Sequence, residues 1–182
     1  MERPRDSAMD IETATRLGHL VPLAAGSGLL IFAAMHDIAA RTIPNTASIV
    51  LAALGMLLRL QDGDLTSSLL LGGIVFAVCT ACWLRGWMGG GDVKLLSAAA
   101  LFVPHALVGS LLIATTLAGG VVAIAYLIAR VAARRVSLTV HSTPRSFLAR
   151  VLRAEHWRLL RGTPLPYGSA IAVGTLFVIF AG

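Results

Sequence analysis

The sequence is poor in charged residues. Only 13% of its 182 residues are charged, whereas 57% are hydrophobic. Soluble domains average about 25% charged and about 45–50% apolar residues. A mean hydropathy of +0.81 excludes a disordered chain and argues against a water-soluble globule. The composition therefore predicts an integral membrane protein.

Cysteine is also scarce, with only Cys79 and Cys82 present. A Cys-x-x-Cys pair can be a redox motif or half of a zinc site. No second pair accompanies this one, and both cysteines lie within the apolar run 69–84. We expect them to pack as small apolar side chains, and we predict no disulfide framework and no metal site.

What the sequence has in abundance is long apolar runs. A membrane helix needs about 20 mostly apolar residues. The sequence contains six apolar segments, and five of them approach or reach that length. The fourth is too short to span a membrane alone. They are Leu20 to Met35, Ala47 to Leu60, Leu65 to Leu84, Leu95 to Val103, Ala106 to Ala129 and Leu165 to Ala181. The predicted fold is all-α: a polytopic transmembrane helix bundle with about six membrane segments, in one domain over residues 1–182.

The basic residues are distributed unevenly among the connections. Lys and Arg occur in 36–46, 85–94 and 130–162, and the last of these contains eight arginines and one glutamate. The connections 61–64 and 104–105 contain neither Lys nor Arg. Because Lys and Arg mark the cytoplasmic side of membrane proteins, we place the three basic connections in the cytoplasm.

The long basic connection includes the stretch from Phe147 to Arg161, where apolar residues recur at helical spacing. A basic amphipathic helix is typical of an anionic membrane surface, although Glu155 falls on the apolar side. No set of stacking aromatic residues accompanies the arginines. We therefore expect contact with the lipid bilayer and no binding of nucleic acid.

Two carboxylates, Asp37 and Asp92, lie at the edges of apolar segments. A carboxylate at bilayer depth costs about 2.5–3.5 kcal/mol and usually marks function, but either aspartate alone is explained more simply as a solvated or capping residue at a helix end. Both belong to connections assigned to the same side, so they could meet. Such a pair suits peptide hydrolysis by water, because an ionised carboxylate accepts a proton while its protonated neighbour polarises the carbonyl.

Three motifs resemble those of one family. Gly89-x-Gly91-Asp92 resembles the Gly-x-Gly-Asp signature of intramembrane aspartic proteases, and its continuation Val93-Lys94-Leu95-Leu96 is similar to that of the prepilin peptidases. Asp37, seven residues ahead of Pro44-Asn45, resembles the first catalytic aspartate of that family. Pro166-Tyr167-Gly168 is similar to the segment that opens its last helix. The motifs occur in the order of the family.

The resemblance implies a membrane-embedded aspartic endopeptidase of the bacterial inner membrane, which uses no cofactor. Such an enzyme removes short basic leaders from prepilins and pseudopilins at the cytoplasmic face. Asp37 and Asp92 would be the catalytic pair, and an active-site loop containing Gly89, Gly90 and Gly91 would hold the second aspartate close to the substrate.

The remaining motif residues have structural interpretations. We interpret Lys94 first as a side chain that extends to lipid phosphates, with substrate orientation as the alternative. Pro44 and Asn45 would fix the start of the second helix through proline geometry and a cap-like side chain.

Larger prepilin peptidases resemble bifunctional enzymes that carry two Cys-x-x-Cys pairs and an N-methyltransferase activity. This sequence has no such tetrad, so it resembles the compact form associated with tight-adherence or Flp pili, and we do not expect methyltransferase activity. Two alternatives remain: a non-catalytic membrane assembly or ion/proton-transport component that uses the same aspartates, and a metalloprotease with His36 beside Asp37. Against the metalloprotease, the sequence contains no His-Glu-x-x-His motif.

Overall fold

The computed structural model describes residues 4–135 and 165–181. These residues form α-helices, of which the five within 4–135 are joined by short connections, together with a 3-10 turn at His105–Leu107, and they contain no β-strand. The predicted all-α class is confirmed. The helices are α1 (Pro4–Ala40), α2 (Asn45–Gln61), α3 (Leu65–Leu84), α4 (Gly90–Phe102), α5 (Val108–Arg135) and α6 (Tyr167–Ala181).

Three stretches of the described helices are long and apolar enough to cross a membrane. They are Arg16–Ala40 in α1, Leu65–Leu84 in α3, and His105–Val131, which includes most of α5. Helices α2 and α6 are apolar but shorter, with 17 and 15 residues. The predicted bundle of apolar membrane helices is therefore present, with segments of unequal length.

Helix α4 is the shortest α-helix among the described residues and lies at the centre of the bundle. Its 13 residues extend about 20 Å at 1.5 Å per residue, which is too short to span a bilayer alone. It packs against α2, α3 and α6, and Leu95, Ala99 and Phe102 are almost completely buried. The fourth predicted segment is thus a buried helix inside protein, a setting in which short helices are tolerated at membrane depth.

Glycines allow the neighbouring helices to approach α4 closely. A Cβ on Gly55 of α2 would lie 2.7 Å from the backbone of Leu101, and one on Gly72 of α3 would lie 2.7 Å from the Leu101 side chain. Gly26 of α1 packs against the ring of Phe102. Helices α1, α2 and α3 therefore converge on the last turn of α4.

The bundle has two chemically different ends. Helices α2, α4 and α6 begin at one end, which we call the cavity end. At the opposite end, the turn end, residues 62–64 connect α2 to α3 and the 3-10 turn follows α4. Gly63 has a φ of +75° there, a conformation that favours glycine. The predicted connection at 61–64 lies here, with Gln61 as the last residue of α2.

Two predicted boundaries were wrong. Asp37 lies within α1, two residues after the first predicted apolar segment ends, because the sequence contains no helix breaker before the connection to Pro44. Helix α5 extends to Arg135, so the first six residues of the predicted loop 130–162 are helical. The rest of that loop, including the predicted amphipathic helix 147–161, lies outside the described residues.

The two cysteines lie within α3, as predicted. Cys79 is buried and Cys82 is partly buried, and both are free thiols.

Candidate active site

Asp37 and Asp92 lie in a single cavity at the cavity end of the bundle. Asp37 belongs to the last turn of α1, whereas Asp92 belongs to the first turn of α4. The cavity has a volume of about 670 Å³, which is within the range of small-molecule and peptide sites. Its lining residues are Asp37, Arg41, Thr42, Ile43, Asn45, Gly89, Gly90, Gly91, Asp92 and Leu165. The two aspartates, 55 positions apart in the sequence, thus line the same cavity.

The carboxylate of Asp37 is held by the start of α6. Its side chain is 6% exposed and accepts hydrogen bonds from the backbone N–H groups of Gly168 and Ser169. The first N–H groups of a helix have no partner within the helix and favour a negative charge. These hydrogen bonds therefore stabilise the ionised form of Asp37.

Gly168 allows this contact because it has no side chain. A Cβ at this position would lie 2.9 Å from Oδ2 of Asp37 and 2.8 Å from Cδ1 of Ile43, and contacts that short require one of the groups to move. Ser169 stabilises the same turn, since its hydroxyl donates to the carbonyl of Pro166 at 2.6 Å. The Pro166-Tyr167-Gly168 motif thus forms part of the site.

Asp92 accepts a hydrogen bond from a backbone group of its own helix. Gly89 precedes α4 as its N-cap residue, and its N–H donates to the carboxylate of Asp92 three residues later. This is the reciprocal half of a capping box. A Cβ on Gly89 would lie 2.8 Å from Oδ2 of Asp92, so glycine is required for close approach.

The two aspartates are electrostatically unequal. Asp92 lies ahead of the apolar part of α4, and burial together with the charge of Asp37 raises its pKa to about 6, against the opposing effect of the Gly89 hydrogen bond. Asp37 has two backbone donors and interacts with the positive charge of Arg41. Below about pH 6, Asp92 consequently carries a proton, whereas the charged form of Asp37 has the larger number of hydrogen-bond donors.

The glycines at 89–91 were predicted to form an active-site loop, but they form the start of a helix. Gly90 and Gly91 are the first residues of α4, and glycines with positive φ in the described part of the chain are Gly63 and Gly86. The glycine triplet therefore provides space instead of unusual backbone angles. A Cβ on Gly91 would lie 3.3 Å from Cβ of Ile43, and one on Gly90 would lie 3.4 Å from Nε1 of Trp83.

The interpretation of Asn45 also needs correction, and Lys94 makes a contact that was not predicted. Lys94 is in α4, and its Nζ donates to Oδ1 of Asn45 at 2.9 Å, so it links α4 to α2. Pro44 precedes α2 as its N-cap residue, whereas Asn45 is the first helical residue and makes no capping hydrogen bond. The role predicted for Pro44 fits this geometry. The cap-like role of Asn45 does not.

Arg41 and Tyr126 are parts of the site that the sequence did not indicate as such. Arg41 follows α1 with a φ of +57°. Its Nη2 donates to the Tyr126 hydroxyl at 3.0 Å, and its guanidinium lies 5.2 Å from the centre of the Tyr126 ring, a cation–π distance. The position of Arg41, four residues after Asp37, was a signal for this contact, but nothing in the sequence singled out Tyr126.

Tyr167 occupies the gap between α6 and α5. Its ring packs on Gly119 of α5, where a Cβ would lie 2.8 Å from Cε2, and it is close enough to interact electrostatically with Asp92. Tyr167 therefore lies between the lipid-facing helix α5 and the aspartate pair.

The donor set does not favour a metal. Within residues 4–135 and 165–181 there is no group of three His, Cys, Asp or Glu residues that could bind an ion. The arrangement instead places two carboxylates with different backbone hydrogen-bond donors in one cavity, and a carboxylate pair is suited to acid–base hydrolysis.

Comparison with known proteins identifies one family. The model of the type IV leader peptidase family matches residues 24–124, which is more than half of the 182-residue chain and includes both cavity aspartates. Searches of curated proteins and of solved structures returned no match.

Proposed function

Because the chain belongs to the type IV leader peptidase family, we propose that it is an aspartic endopeptidase that cleaves short basic leaders from prepilins and pseudopilins. The observation that carries this proposal is the shared cavity of Asp37 and Asp92, in which the two carboxylates have different hydrogen-bond donors and different burial. The whole chain would act as one membrane peptidase domain.

In the proposed mechanism, Asp37 is the general base and Asp92 the general acid. Water is positioned between the two carboxylates and loses a proton to Asp37 as it attacks the scissile carbonyl. Protonated Asp92 donates a hydrogen bond to that carbonyl oxygen and then gives its proton to the leaving nitrogen as the tetrahedral intermediate collapses. The proton that Asp37 took from water afterwards passes to Asp92, which restores the starting state. Oδ2 of Asp37 has no hydrogen-bond partner among the described residues, so this oxygen is the one suited to the proton transfer.

We place the cavity end at the cytoplasmic face of the inner membrane. Arg41, Arg85 and Lys94 lie at or near this end, where α1 and α3 end and α4 begins. Helix α5 starts beside the turn end and terminates in Arg134 and Arg135, towards the cavity end. This distribution agrees with the positive-inside rule.

The first experiment is co-expression with a pilin precursor that has a short basic leader followed by an apolar helix, with leader removal read as a gel shift. Asp37→Asn and Asp92→Asn should each lower the cleavage rate by about 10²–10⁴-fold, because each removes a proton-transfer group. Asp62→Asn and Asp64→Asn at the turn end are matched controls and should cleave normally.

Cleavage by a folded, membrane-inserted Asp92→Asn variant would refute the aspartic mechanism. Ion flux without any precursor processing would favour the transport alternative. Inhibition of the wild-type enzyme by a chelator, with recovery on adding zinc, would favour the metalloprotease.

A further inference from the structure

A second groove lies next to the catalytic cavity, between α2 and α3. These two helices pack mainly on α4 and only slightly on each other, which leaves a depression of about 340 Å³ with α4 as its floor. We call it the α2/α3 groove. The residues that line it include Asn45, Ser48, Ile49, Phe76, Lys94 and Ala98.

The groove is continuous with the catalytic cavity. Asn45 lines both spaces, and α2 and α4 begin at the cavity and run away from it side by side. At 1.5 Å per residue, Ala98 is about 9 Å along α4 from Asp92. The groove therefore extends from the aspartates towards the membrane interior over about two helical turns.

The walls of the groove are apolar and open to the outside. Ile49 is 66% exposed and Phe76 is 50% exposed, so both offer apolar surface to an occupant. Lys94 lies where the groove meets the cavity and places a positive charge there. A basic leader would be repelled at this point, whereas an apolar segment would not.

Ser48 lines the groove with its hydroxyl turned away from it. The residue is 5% exposed, and its hydroxyl oxygen is buried without a hydrogen-bond partner among the described residues. The surface that the groove offers to an occupant is therefore that of the apolar side chains of Ile49 and Phe76. Because the groove opens from the cavity of the two aspartates at Asn45, a chain segment that follows the scissile bond can enter it directly.

We propose that the α2/α3 groove binds the first turns of the apolar segment of the substrate, directly after the scissile bond. The apolar side chains of this segment contact Ile49 and Phe76. The basic leader then leaves the cavity on the other side of Asp37 and Asp92. This inference rests on the proposed peptidase function, and it identifies the apolar segment as the part of the substrate that provides binding energy.

Photo-crosslinking tests the location. A photoreactive amino acid is introduced at position 49 of the inactive Asp92→Asn enzyme, and at position 113 as a control, since Ile113 is 64% exposed on α5. The precursor with its apolar helix should crosslink at position 49 and not at position 113. Crosslinking of phospholipid alone at position 49, or equal crosslinking of the precursor at both positions, would overturn the proposal.

Kinetics of active enzymes tests the contribution to binding. Ile49→Trp fills the groove with a larger side chain and should prevent the apolar segment of the substrate from binding there. Because that contact is present in both the ground state and the transition state, KM for the full precursor should rise about tenfold with little change in kcat. A short peptide that ends a few residues after the scissile bond should be cleaved equally by Ile49→Trp and wild type. Ile113→Trp should behave as wild type on both substrates.

The two proposals fail separately. If the wild-type enzyme cleaves none of the precursors, the proposed peptidase function is wrong. If the wild type cleaves the precursor and Ile49→Trp has an unchanged KM, only the proposed role of the α2/α3 groove is wrong.

Discussion

At the cavity end, Asp37 and Asp92 accept hydrogen bonds from backbone N–H groups, whereas at the turn end Asp62 and Asp64 lie beside basic side chains. Arg59 Nη1 is 2.8 Å from Oδ2 of Asp62, and Nδ1 of His105 is 2.8 Å from Oδ2 of Asp64. Arg59 pairs directly with Asp62, whereas Arg41 hydrogen-bonds Tyr126 and acts on Asp37 only through its charge. The aspartates at the turn end thus contact side chains of other residues, whereas those at the cavity end line an open space.

The largest expected effect comes from disturbing the backbone donors of Asp37. Gly168→Ala introduces a Cβ 2.9 Å from Oδ2 of Asp37, and a misplacement of about 1 Å can cost about 10²-fold in rate. We expect a drop of that size in kcat for leader cleavage, measured with purified enzyme in lipid nanodiscs. Gly120→Ala, where a Cβ would have no neighbour within 4 Å, is the matched control. Equal rates for the two variants would show that the Gly168 contact is unimportant.

A smaller effect concerns pH. Because the pKa of Asp92 is raised to about 6, its protonated form persists up to that pH and is lost above it. We expect kcat/KM to fall as the pH rises through about 6, approaching about a tenfold decrease per pH unit. The measurement is the pH profile of leader cleavage between pH 5 and 8. Asp64→Asn should give the same profile, since the His105 pair lies at the turn end, and a flat profile would contradict the assignment of Asp92 as the acid.

The smallest effects are expected at the turn end and concern stability. Asp62→Asn leaves the guanidinium of Arg59 buried without its partner. Since the Asp62 side chain is 32% exposed, the loss is moderated by solvent to about 1 kcal/mol in the free energy of unfolding. Asp64→Asn should cost about 0.2–1 kcal/mol. Unfolding in mixed micelles with an increasing fraction of SDS measures both losses of stability. We expect both variants to cleave the precursor at rates within twofold of wild type, unlike variants of the two cavity aspartates.

Part of the site could be predicted from the sequence. The motifs and the distribution of basic residues indicated Asp37 and Asp92 and assigned them to one side. The contact of Gly89 with Asp92 was missed, because residues 89–91 were expected to form a loop and not a helix start. The helical class followed from the length of the apolar runs. The end of α1 could not be located in this way, because apolarity decreases at Met35 while helix propensity continues through Ala40.

The contact between Asp37 and the start of α6 was not predictable on the same grounds. The residues are 131 positions apart, and no local rule pairs a carboxylate with a distant backbone N–H. The same is true of Arg41 with Tyr126 and of Lys94 with Asn45, where the packing of helices decides which side chains meet. The motif pattern indicated that Gly168 matters, and the structure supplies the physical reason.

The position of α6 has a consequence for biosynthesis. Asp37 is made early in translation, whereas the N–H groups of Gly168 and Ser169 that hold its carboxylate belong to the last helix of the described chain. A nascent chain that ends before residue 167 contains both cavity aspartates but not these donors. The backbone hydrogen bonds to Asp37 can therefore form only after the start of α6 has been synthesised.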